Sequence, residues 1–167
     1  MEIFNDENTL YALERICEHC LENHYKIAVA ESVTSGFVQL MLSTCSNAGL
    51  FFAGGASVYS CEQKFKQLGI SYDACIETNG VSKSISEEMA FQICKKFSSD
   101  IGLSITGFAS PIPEKGIEKL FAYASLCFKG KIIFSEYLIP QANSQLGIQQ
   151  EYASRLICLS EKSILRF

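Results

Sequence analysis

In 167 residues the sequence has no tryptophan, only three prolines and two histidines, and no excess of basic side chains. Fourteen Lys and Arg against 18 Asp and Glu leave a formal net charge of −4, with a pI near 5.2. A nucleic-acid-binding domain carries a basic footprint, and this chain has none. No apolar run approaches the ~20 residues of a membrane-spanning helix. The opening Met1-Glu2-Ile3-Phe4-Asn5-Asp6-Glu7 holds three acids and no basic region. No secretory signal peptide is expected, and the cytoplasm is the expected compartment. With 48% hydrophobic residues and little net charge, the composition also excludes disorder. A chain of this length buries roughly 70% of its unfolded surface, enough for one core, so a single domain over residues 1–167 is expected.

What the chain has in quantity is cysteine, eight in all. In a reducing compartment these are thiols. Cys17 and Cys20 form one C-x-x-C pair around His19, with His24 nearby. A zinc site calls for about four converging ligands, commonly two such pairs, and only one is present. Leu10, Leu13, Cys17, Cys20 and Leu21 share one helical face while His19 points elsewhere. The expectation is a set of reduced core cysteines and no metal.

The hydrophobic pattern alternates between helix and strand. Glu7 to Asn23 has helical periodicity, and Tyr25-Lys26-Ile27-Ala28-Val29-Ala30 suits a buried strand. Ser32 to Gly36 reads as a tight turn leading into a helix through about Ser43. Leu50 to Tyr59 reads as a strand containing Gly54-Gly55, and Cys61 to Leu68 as a helix. Ser84-Ile85-Ser86-Glu87 has capping-box spacing and opens a helix through Phe97. Ile101 to Ile105 is a strand, Ser110 to Gly116 a loop, and Leu120–Phe128 with Lys131–Leu138 a hairpin around Lys129-Gly130. A last helix runs from about Ser144 to Ser160. This order predicts a three-layer α/β/α sandwich with a mixed sheet.

Three segments place hydroxyls and glycines at the ends of apolar strands, where open α/β sheets bind ligands. In Glu31-Ser32-Val33-Thr34-Ser35-Gly36, a strand turns into a helix, which suits either a well-capped helix or a site for a developing oxyanion. In Gly54-Gly55 through Lys64, Ser60 caps a helix that carries Lys64 one turn on. A lysine there is either a solvated charge or, when desolvated, a general base for a serine. The third segment is Ser104-Ile105-Thr106-Gly107-Phe108-Ala109-Ser110-Pro111. Both histidines lie far from all three segments, so no Ser-His-Asp triad is evident, and catalysis would fall to a serine–lysine pair.

At these residues the chain resembles the CinA C-terminal domain family, also described as nicotinamide-nucleotide amidohydrolase. The family's A-E-S-C-T-G-G is similar to Ala30 through Gly36, and its G-G-x-x-x-Y-S-N-E-x-K to Gly54 through Lys64. Its L-G-V resembles Leu68-Gly69-Ile70, its G-A-V-S Asn79-Gly80-Val81-Ser82, and its T-G-I-A-G-P Thr106 through Pro111. The resemblance implies a CinA-like α/β/α fold that self-associates. It also implies deamidation of nicotinamide mononucleotide to nicotinate mononucleotide and ammonia, as in pyridine-nucleotide salvage. Ser32 would be the nucleophile and Lys64 its base, with Glu31, Thr34, Gly36, Tyr59, Thr106 and Gly107 binding the substrate and N–H groups near Val33 and Thr34 stabilising an oxyanion. No metal or organic cofactor, nucleic acid or membrane is implied. Longer members add an N-terminal domain resembling molybdopterin-binding proteins, which a chain of this length is not expected to contain. Val33, Ser35, Cys61 and Ser110 depart from the family's motifs, and the segment near Gln141 to Gly147 lacks the family's arginines. These departures favour a second reading, an inactive or substrate-shifted member that binds a nucleotide or a partner protein.

Overall fold

A computed structural model describes residues 6–167. The first five residues, part of the N-terminal stretch read above as lacking a signal peptide, lie outside them. The chain forms α1 (Glu7–Glu22), β1 (Ile27–Glu31), α2 (Phe37–Ser43), α3 (Ala48–Phe51), β2 (Phe52–Ser57) and α4 (Cys61–Leu68). It continues with α5 (Tyr72–Glu77), α6 (Lys83–Phe97), β3 (Ile101–Gly107), β4 (Ala122–Phe128), β5 (Lys131–Leu138) and α7 (Gln145–Ile164). The strands form one mixed sheet in the order β2-β1-β3-β4-β5. β1 runs parallel to β2 and β3, whereas β4 is antiparallel to β3 and β5.

All five residues of β1 are buried, as a strand covered on both faces requires. Side chains alternate across a sheet, so β1 feeds two cores. Ile27 and Val29 pack with Ile101, Leu103 and Ile105 of β3 against α1, α2 and α7. Ala28 and Ala30 pack on the opposite face with Val58, Leu68 of α4, Cys75 of α5, and Ile85, Met89 and Ile93 of α6. The same parity sends Glu31 toward α2 and Ser32 toward α4. β1 has parallel neighbours on both sides, and the helices that follow it lie on opposite faces. This is the arrangement that opens a crevice at strand C-termini.

The structure departs from the sequence reading at element edges. β2 is shorter than expected, because residues 48–51 form a helical turn that buries Phe51. α5 was not anticipated; Ser71 caps its six residues by accepting from Ala74 N–H. α6 is capped by Ser82 rather than Ser84: Ser82 is extended at φ −156° and its Oγ accepts from Ile85 N–H at 3.1 Å. α7 runs on to Ile164, whose side chain is buried in the core.

The cysteine expectation also changes. Cys17 of α1 is paired in a disulfide with Cys45, beyond the end of α2, so the eight are not all free thiols. Periodicity placed Cys17 on the buried face of α1. It could not show that the residue packed there is another cysteine 28 positions away. Cys20 is free and buried in the same core. No helix among the described residues is long and apolar enough to cross a membrane.

Candidate active site

The site begins where β1 stops. Ser32 N–H donates to Ile105 O at 3.0 Å, which extends the β1–β3 pairing by one residue before the chain turns. The turn is held from the α2 side by the Glu31 carboxylate, which is fully buried. It accepts from Thr34 Oγ1, from Gly36 N–H at 3.0 Å, from Val38 N–H at 3.2 Å and from Gln39 N–H at 2.8 Å. The first-turn donors of a helix have no intrahelical partner, and a carboxylate placed among them satisfies several at once. Gly36 stands at φ +109°, a conformation that favours glycine, and this lets the chain double back onto Glu31.

Lys64 approaches from the other face. Ser60 caps α4 by accepting from Gln63 N–H at 3.2 Å. Lys64 and Leu68, four residues apart, form the inward face of that helix. Lys64 is only 2% exposed and Ser32 only 6%. Lys64 Nζ donates to Ser32 Oγ at 2.9 Å and to Val58 O at 3.0 Å. Burial lowers its pKa from the ordinary 10.5 to about 8, while the nearby Cys75 and Cys61 thiols act weakly in the opposite sense. Near pH 8 a substantial fraction of this amine is therefore neutral and able to accept a proton.

Ser32 and Lys64 open onto a cleft of about 630 Å³ at the C-terminal ends of β1 and β3. One wall is apolar and aromatic, from Tyr59, Tyr72, Ile76, Val81 and Phe108. Gly107 to Ser110, Ile112 and Lys115 contribute a second wall, and Gln145 and Gln149 of α7 a third. Tyr152 steadies the loop after β3 by donating from its hydroxyl to Phe108 O at 3.3 Å.

Among the described residues, neither Val33 N–H nor Thr34 N–H has a hydrogen-bond partner in the protein. The two differ in orientation. Ser32 C=O accepts from Ser35 N–H at 3.3 Å and Ser35 Oγ at 3.4 Å, so the Val33 N–H of the same peptide points away from Ser35. Val33 C=O accepts from Gln149 Nε2 at 2.9 Å, which turns Thr34 N–H away from α7 and its cleft wall. Val33 itself lines the cleft, so its N–H is the better placed of the two to meet an oxyanion.

The structure thus brings Ser32 and Lys64 into contact and sets Tyr59 and Gly107 on the cleft wall. Glu31, Thr34, Gly36 and Thr106 stand behind that wall. Glu31, Thr34 and Gly36 form the cap just described. Thr106 Oγ1 donates to Gly80 O at 2.8 Å, and a Cβ on Gly80 would stand 3.4 Å from Lys64 Nζ. Thr106 therefore acts on the site through the backbone that abuts the lysine.

Gln149 and Lys115 are among the cleft residues that the sequence reading does not mark. Gln149 lies 116 positions from the carbonyl it holds, and helical periodicity does not say which polar residue of α7 meets the turn. Lys115 sits in the Pro113–Lys115 turn closed by the Ile112–Ile117 bridge. It is the one cation of the cleft wall besides Lys64, and among the described residues it has no carboxylate partner. A lone lysine in a Pro- and Gly-bounded loop after a site strand was the signal available.

Comparison with known proteins identifies the family and the fold. The family model for the CinA C-terminal domain matches residues 11–155. A competence-damage inducible protein of Bacillus velezensis is 31% identical over 152 residues, covering 91% of this chain and 36% of the relative. A CinA-like protein of Chlorobium chlorochromatii is 30% identical over 135 residues, covering 79% of this chain and 32% of the relative. The chain thus spans about a third of the length of these relatives. Among solved structures, a CinA superfamily protein from Klebsiella pneumoniae superposes with a TM-score of 0.88 at 19% identity, covering 96% of this chain and all of that one. The competence/damage inducible protein CihA from Agrobacterium tumefaciens gives a TM-score of 0.84 at 14% identity, covering 95% and 98% of the two chains. By sequence and by fold, the chain belongs to the CinA C-terminal domain family.

Proposed function

We propose that this chain is an amidohydrolase that converts nicotinamide mononucleotide and water to nicotinate mononucleotide and ammonia. The observation that carries the reading is the 2.9 Å hydrogen bond between a buried lysine of lowered pKa and a serine at the floor of a cleft. Neutral Lys64 takes the Ser32 Oγ proton as Oγ attacks the carboxamide carbon. The resulting oxyanion meets Val33 N–H, a contact typically worth about 3 kcal/mol. The protonated lysine then gives its proton to the departing nitrogen, and ammonia leaves an acyl-serine ester. Water, deprotonated by the same amine, hydrolyses that ester and restores Ser32. The apolar wall suits the pyridine ring, and Lys115 supplies positive charge for the phosphate. The reaction as written uses no metal or organic cofactor, and its substrate class belongs to the cytoplasm. The exposed Ile132, Ile133 and Tyr137 on the edge strand β5 support self-association into a homo-oligomer.

The test is ammonia release from nicotinamide mononucleotide by the protein and by its Ser32→Ala and Lys64→Ala variants. Turnover confined to the parent protein supports the reading; no turnover above the variants refutes it. One observation favours a second reading, nucleotide binding without hydrolysis: Gln149 turns the Thr34 N–H away, leaving one well-placed oxyanion donor rather than two.

A further inference from the structure

We infer that Gln149 is a specificity-determining residue, whose free amide oxygen accepts from the substrate's carboxamide nitrogen and repels the carboxylate of the product. The inference rests on the amidohydrolase reading and names a contact at the same site. Its basis is the asymmetry of a primary amide, which donates from nitrogen and accepts at oxygen. Gln149 Nε2 lies 2.9 Å from Val33 O, and because a carbonyl can only accept, that end of the side chain must be the nitrogen. The donor end is therefore committed to the residue next to the nucleophile. What remains is Oε1, which has no partner among the described residues, on a side chain that lines the cleft.

A site that offers only an acceptor discriminates by chemistry. A carboxamide presents N–H donors to Oε1, whereas a carboxylate presents only lone pairs, and two acceptors left facing each other without a proton repel. Gln145, one turn earlier on α7, lines the same wall but has neither end committed. It adapts to either ligand and so cannot discriminate. Substrate and product differ only in this group, so the fixed amide both orients the leaving nitrogen and favours departure of the acid.

The experiment compares binding of nicotinamide mononucleotide and nicotinate mononucleotide to the full chain in a Ser32→Ala background, where neither turns over. Titration calorimetry is run with and without Gln149→Met, a substitution of similar volume that removes both polar ends. The parent is expected to prefer the carboxamide, and Gln149→Met to reduce that preference about tenfold, as loss of one hydrogen bond implies. An unchanged ratio, or equal weakening of both ligands, would overturn the inference and leave Gln149 as a brace for Val33. Gln149→Ala also removes both polar ends and adds no bulk, so it is expected to reduce the preference to a similar extent. An unchanged preference there is equally contrary, which covers the case in which Gln149→Met does not fold. No ammonia from the wild-type chain, together with a Gln149-dependent preference, would sink the amidohydrolase reading alone. Ammonia release with a preference indifferent to Gln149 would sink this inference alone.

Discussion

Two buried ionisable side chains flank the end of β1, and they are furnished in opposite ways. On the α2 face, Glu31 is surrounded by four donors, three of them backbone N–H groups with no other partner. On the α4 face, Lys64 sits against an apolar cluster with only a carbonyl and a hydroxyl to receive its protons. A buried charge supplied with partners is stable where it is and serves the architecture. One that lacks them gives up its charge more readily, and this lysine has a serine hydroxyl as a neighbour. Strand parity decides which is which, because consecutive residues Glu31 and Ser32 face opposite layers.

The comparison breaks most visibly in turnover. Ser32→Ala and Lys64→Ala are each expected to lower ammonia release by at least about 10³-fold, since the two act as one unit, and the double variant to be little worse than either. The next largest effect falls on the architecture. Glu31→Ala strands several donors and is expected to cost about 3 kcal/mol, read from urea unfolding at constant m-value. A loss below about 1 kcal/mol would show that the cap is dispensable.

Lys64→Met sharpens the contrast because it is expected to stabilise the fold at pH 7, by on the order of 1 kcal/mol, while abolishing activity. The sign follows from proton linkage. The folded lysine titrates near 8 and the unfolded one at its ordinary 10.5. Between these values the unfolded state binds more protons, so wild-type stability rises with pH across that window. The advantage of Lys64→Met is therefore full below pH 8 and gone above 10.5. An advantage independent of pH would contradict the lowered pKa. The smallest effect concerns Lys115, whose replacement by Ala is expected to raise KM up to about fivefold without changing kcat, and less so at high salt.

Much of this is legible in the sequence alone. The branched apolar runs of β1 and β3 announce strands buried on both faces. Ser60, as a helix cap, fixes Lys64 on the first turn of α4. The motifs around Ser32 and Lys64 carried the family resemblance. Local pattern could not supply contacts between segments remote in sequence. Gln149 on Val33, Cys17 on Cys45 and Thr106 on Gly80 each depend on how whole layers pack. The family resemblance implies Glu31 as a substrate ligand, and the motif does not say which layer its carboxylate faces. Only the course of the turn shows its oxygens directed at α2. The Ser82 cap was missed because Ser84 offers the same chemistry two residues on, and backbone extension at Ser82 decides between them.

The most direct test is the pH dependence of kcat/KM for nicotinamide mononucleotide in the unmodified chain. With Lys64 as the base, the rate rises tenfold per pH unit on the acid side and levels off through an apparent pKa near 8. A profile flat from pH 6 to 9, or one whose acid limb survives Lys64→Ala, would contradict the account.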